Sequence, residues 1–109
     1  MDSGQLAQEV TRLHAEICSA MADPNRILIL YALSERPHAV NELAAALSIS
    51  QPATSRHLKV LRDRGMVSAT RQGQSIQYAL NDARIIDALD TLRAVLRDRL
   101  AYRAQLVSE

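Results

Sequence analysis

The sequence predicts a mostly helical domain that carries one small antiparallel β-hairpin, and three observations predict it. Apolar residues recur at spacings of three and four over most of the chain, and the period changes to alternation only after Gly65. The core must also be aliphatic, because the chain has three Tyr and neither Phe nor Trp. At 109 residues there is chain for one core, so a single domain over residues 1–109 is expected and a multi-domain enzyme is excluded. With 48% hydrophobic and 23% charged residues, the composition fits neither disorder nor a fibrous protein.

The elements follow in order. Leu6, Val10, Leu13 and Ile17 form one narrow apolar seam, which predicts a helix from about Gln5 to Ala20 suited to packing against another helix. Asp23 before Pro24 is an N-cap with proline in the first turn, opening a second, central helix through Leu33 that stops before Pro37. Asn41–Leu47 reads as a short helix broken by Ser48-Ile49-Ser50. Ser50 then caps a fourth helix that tolerates Pro52, runs to Arg64 and closes on Gly65 in the left-handed conformation. Two short helices around a tight turn, at about 41–64, are a helix-turn-helix signature. Met66–Arg71 and Ser75–Leu80 alternate around Gln72-Gly73-Gln74, a hairpin at about 66–80. Asn81 or Asp82 caps the last helix, whose seam runs through Ile85, Leu89, Leu92, Leu96 and Leu100.

Helix, helix, helix-turn-helix, hairpin, helix is the order of a winged helix-turn-helix. The charge distribution points the same way. Residues 1–49 hold three Arg against six acids, whereas residues 50–75 hold Arg56, Lys59, Arg62, Arg64 and Arg71 against Asp63 alone. A local basic segment in a chain of net charge +1 is what a surface that meets polyanions requires. In the fourth helix Thr54, Leu58 and Leu61 fall on one face, toward the core, so Gln51, Pro52, Ser55, Arg56 and Lys59 face outward. Gln and Arg have the forked groups that read base edges in a major groove, and Ser55 and Lys59 suit phosphates. The hairpin tip adds Arg71, Gln72 and Gln74 against a DNA backbone or minor groove. A protein-interaction module on the same fold would show the same order; steep weakening of binding by salt separates DNA from it.

Ala22–Leu30, Glu42-Leu43-Ala44, Ser50–Leu61, Gly65-Met66-Val67, Arg71–Ser75 and Tyr78-Ala79-Leu80 together resemble the ArsR/SmtB family of bacterial transcriptional repressors, over about Cys18 to Leu100. The resemblance implies a cytoplasmic homodimer, built from the first and last helices, that binds a palindromic operator in double-stranded DNA and is released by an inducer. Leu6, Val10, Leu13, Ile17, Leu89, Leu92 and Leu96 are then the expected dimer contacts. It also implies Gln51, Pro52, Ser55 and Arg56 as recognition-helix contacts. The chain departs from the family at its switches. The thiol pair of the arsenic and cadmium sensors falls on Leu43–Leu47, and the imidazoles of the zinc and cobalt sensors on Arg84 and Val95. The two-cysteine redox pair is missing as well, since the second helix reads Leu30-Tyr31 and the last helix has no Cys. No metal and no cofactor are therefore expected.

The single Cys18, one helical turn after His14, is the remaining candidate sensor, through a thiol or as two ligands of a shared ion; an inert core cysteine is the alternative. It also excludes an intrachain disulfide framework and fits a reducing compartment. His57 is expected packed or facing phosphate, and His38 exposed in the Pro37 turn. The longest apolar run, Ile27–Leu33, is far short of the roughly 20 residues of a membrane span, so no membrane partner or leader is expected. Catalysis is not expected: no carboxylates converge, and Gly4, Gly65 and Gly73 stand too far apart for a phosphate loop. A repressor of this family without an inducer of its own is a further reading.

Overall fold

The computed structural model describes residues 2–108. Its order is α1 (Ser3–Leu13), a π-helical turn (His14–Cys18), α2 (Pro24–Glu35), α3 (Val40–Leu47), α4 (Gln51–Asp63), β1 (Val67–Gln72), β2 (Ser75–Leu80) and α5 (Arg84–Ser108). Five helices and a two-stranded antiparallel hairpin make the winged helix-turn-helix that the sequence predicts.

Local chemistry sets the boundaries. The Asp2 carboxylate accepts the Gln5 amide at 2.7 Å and the Gln5 side chain accepts the Asp2 amide, so α1 starts two residues earlier than the apolar seam suggests. Asp23 caps α2 by accepting the Asn25 amide, and Ser50 caps α4 by accepting the Ala53 amide. Ser48 ends α3 at φ 57°, a left-handed conformation that turns the chain sharply into α4. Gly65, at φ 74°, closes α4, with its amide on the Arg62 carbonyl and the Met66 amide on that of Leu61. Of the two proposed caps of α5, Asp82 does the capping, accepting the Arg84 amide at 2.9 Å. Asn81 instead donates to the Gly65 carbonyl and pins the end of β2 to the end of α4.

The core lies around α2. Ile29, Leu30 and Leu33 meet Leu43 of α3, Leu58 and Leu61 of α4, Met66 and Val67 at the start of the wing, and Leu89 of α5. The hairpin register pairs Val67 with Leu80 and Gln72 with Ser75, leaving Gly73 and Gln74 as a two-residue turn. Arg71 consequently lies in β1 opposite Ile76, one pair back from the tip where the sequence reading placed it. His38, expected exposed, is buried: its amide and carbonyl pair with those of Tyr78 at 3.0 and 2.8 Å. That bridge seats the wing on the helical core.

Two helices stand apart. No residue of α1 is buried, and among the described residues α1 packs on no element except the π-helical turn that follows it. The 25-residue α5 meets the core through Ile85, Ile86 and Leu89, and through Asp90, which accepts from the Tyr31 hydroxyl of α2 at 2.6 Å, and Arg93, which lies over the Tyr31 ring. The radius of gyration is accordingly 17.0 Å, against about 13 Å for a compact domain of this length. No helix among the described residues is long and apolar enough to cross a membrane.

Candidate nucleic-acid interface

α4 is built as a reading helix by its buried side. Thr54, Leu58 and Leu61 are 0–1% exposed, and the Thr54 hydroxyl is satisfied by the Ser50 carbonyl at 2.8 Å. Anchoring this stripe turns Gln51, Pro52, Ser55, Arg56 and Lys59 to solvent, as the periodicity requires. Among the described residues Arg56 and Arg71 have no ion-pair partner. Lys59 does: its ammonium lies 3.0 Å from Asp63 on the same helix, which lowers its free charge. The three wing residues Arg71, Gln72 and Gln74 are all exposed.

Between α4 and the wing lies a cleft of about 450 Å³ lined by Ser55, Leu58, Lys59, Arg62, Asp63 and Tyr78. Arg62 is therefore a phosphate-facing candidate that the sequence reading left out of the contact set. Its signal was present, since Ser55, Lys59 and Arg62 follow a four-three spacing along one helical face. Arg64, counted with the basic segment, points elsewhere. Its guanidinium donates to the Ala15 carbonyl, to Glu16 and, at 2.9 Å, to the Ser19 hydroxyl, tying the end of α4 to the π-helical turn. Arg26 of α2 grips the same region through the Ala20 carbonyl at 2.6 Å and the Ser19 carbonyl at 3.2 Å. It also meets the His57 ring of α4 at 3.4 Å, so that imidazole is packed against a guanidinium.

Among the expected dimer contacts, Leu6, Val10, Leu13, Leu92 and Leu96 are about half exposed. Two differ. Leu89 is 5% exposed and spends its surface on the chain's own core, and Ile17 packs against that core as well. The reason is the crossing of α5 over α2, which periodicity does not reveal. Val95, Leu100, Tyr102 and Leu106 extend the uncovered apolar surface along α5.

The candidate sensor residues lie in the π-helical turn. Both Cys18 and His14 are exposed on the chain, outside its own core. Among the described residues no group of three His, Cys, Asp or Glu is placed to hold a metal ion. At the start of α5 the Arg84 guanidinium takes the Asp82 carboxylate at 2.7 Å. That side-chain contact, helped by the Arg84 amide, lowers the Asp82 pKa from 3.8 to about 2. A carboxylate depressed in the folded state adds stability above its unfolded value and loses it as the pH falls toward the folded one. The first turn of α5 should therefore loosen between about pH 3.8 and 2, read from the Arg84 amide by NMR. A midpoint at or above 3.8 would show that the pair does not hold that turn.

A family profile described as "Bacterial regulatory protein, arsR family" matches residues 23–69, from the cap of α2 into β1. The HTH-type transcriptional regulator NmtR of Mycobacterium tuberculosis is 39% identical over 83% of this chain and 71% of that protein. The HTH-type transcriptional repressor SmtB of the same organism is 39% identical over 69% of this chain and 56% of its own length, so this chain spans little more than half of it. Among solved structures, NolR from Sinorhizobium fredii superimposes with a TM-score of 0.74 at 34% identity, over 87% of this chain and 93% of that one.

Proposed function

The chain belongs to the ArsR family and is a DNA-binding transcriptional regulator, not an enzyme, and from that premise we propose that it is a homodimeric, inducer-released repressor acting in the cytoplasm. Each protomer lays α4 in the major groove of one half of a palindromic operator and rests the wing on the adjacent backbone or minor groove. The observation that carries this reading is the two-sidedness of α4. One stripe is sealed in the core, and the opposite one offers Gln51, Ser55 and Arg56 with no intrachain hydrogen bond from their side chains. The uncovered α1 and α5 support the dimer.

Gel-shift titrations against an operator selected from random DNA test the reading. Arg56→Ala should cost about 1–3 kcal/mol and relax base preference at one position per half-site. Arg71→Ala should weaken all sequences alike and reduce the salt dependence of binding. Unchanged binding in both variants would mean that helix and wing do not face DNA. The exposure of Cys18 favours one further reading, a thiol signal. Cys18→Ser should keep operator affinity and lose any release by peroxide; a variant that still responds would assign the signal elsewhere.

A further inference from the structure

Where the π-helical turn, the end of α4 and the start of α5 meet, there is a cavity of about 380 Å³. Its walls are Ile17 from the first helix, Met66 after α4 and Ile85 from α5; its rim carries Arg64, Arg84 and Asp82. The volume falls in the range of small-molecule sites, and apolar walls with a few convergent polar groups are their usual lining. The charge of the rim selects the ligand. Asp82 is already held by Arg84, through contacts of 2.7 to 3.2 Å, so it has little to offer a cation. Arg64 spends one nitrogen, Nη1, on its three acceptors, while Nε and Nη2 make no hydrogen bond among the described residues. These two nitrogens are the pair that a carboxylate engages side-on with two parallel bonds.

We infer that this cavity binds a small monoanion with an apolar body, an aromatic or medium-chain carboxylate, and that Arg64 carries its occupancy to α4. The carboxylate sits on the free side of the Arg64 guanidinium and the body lies against Ile17, Met66 and Ile85. Operator affinity falls in consequence. The anion neutralises a cation at the end of the reading helix, on the same guanidinium whose Nη1 ties α4 to the Ala15 and Ser19 acceptors of the first helix. The effect on DNA rests on the reading of the chain as a DNA-binding regulator, whereas binding to the protein alone does not.

Calorimetric titration of the full chain with 2-naphthoate tests the site without DNA, with 2-naphthalenemethanol as the uncharged body and acetate as the bodiless charge. Saturable binding of naphthoate is expected, about tenfold or more tighter than the alcohol, since a hydrogen bond to a charged group is worth about 1.5–3 kcal/mol. Arg64→Gln should lose that difference and Arg64→Lys should restore part of it. Arg84→Ala changes a side chain 87% exposed and bares the Asp82 carboxylate; it should weaken naphthoate and leave the alcohol unchanged. Equal binding of acid and alcohol, or naphthoate binding indifferent to both arginines, overturns the assignment. Gel shifts with and without naphthoate then read the link to DNA. A severalfold loss of operator affinity is expected, and an unchanged affinity with the site saturated overturns the role of Arg64. Failure of the unliganded protein to bind DNA would instead count against the repressor and leave the ligand site standing.

Discussion

Leu61→Ala should remove about 2–5 kcal/mol of stability, enough to consume much of the roughly 5–15 kcal/mol that holds a small domain together. Leu61 is fully buried, and it sits in the core cluster with Leu58, Met66 and Val67, where the last turn of α4 gives way to the wing. The lost methyls leave a cavity that this rigid junction cannot collapse, because the Gly65 and Met66 amides fix the chain to the carbonyls of Arg62 and Leu61. Denaturant unfolding followed by circular dichroism measures the loss. A destabilisation below about 1 kcal/mol would mean that the junction adapts and that α4 is held chiefly by its cap and by Thr54.

Leu92→Glu should give monomers with little operator affinity. Leu92 is 58% exposed on α5, on the same uncovered surface as Leu96, and a carboxylate placed between two such surfaces would be desolvated without a partner. Monomers have one reading helix instead of two, so they lose the avidity of a paired site. Sedimentation velocity reports the state directly. A variant that stays dimeric would move the interface away from the middle of α5, toward α1 alone. Comparison with Leu89→Glu separates the two roles, since Leu89 is buried in its own chain and the change there should unfold the monomer.

The parts of this molecule written in adjacent residues were legible before any coordinates. The Asp23-Pro24 and Ser50 caps, the Gly65 stop and the period change after it are local events, each decided within one turn of backbone. The outward face of α4 followed from the stripe Thr54, Leu58, Leu61, which is itself a local pattern. What could not be read depends on which elements cross. His38 is buried because a strand from across the domain pairs with its backbone. Leu89 and Ile17 turn inward because α5 and the π-helical turn lean on α2 and α4, although both fit the apolar seams. Arg64 belongs by sequence to the basic segment and by structure to the clamp on the first helix. The π-helical turn has no Pro or Gly to announce it; its Ala15 and Glu16 carbonyls are met by Arg64, a residue distant in the chain, and the Ser19 and Ala20 carbonyls just after it by Arg26.

The seating of the wing has a bearing on how a protein of this kind changes its target. The hairpin is placed by main-chain bonds (its own ladder, the two bonds between His38 and Tyr78, and the Asn81 amide on the Met66 carbonyl), by the Asn81 side chain on the Gly65 carbonyl, and by Val67, Tyr78 and Leu80 packing on the core. No side chain of Arg71, Gln72 or Gln74 takes part, and those of Gln51 and Arg56 on α4 hold nothing in place either. The letters that choose a DNA sequence are thus separate from those that specify the shape. Substitutions among them are nearly free of folding penalty, whereas the same number of changes in the supporting layer would be purged. Lineages built on this frame can drift from one operator to another through fully folded intermediates.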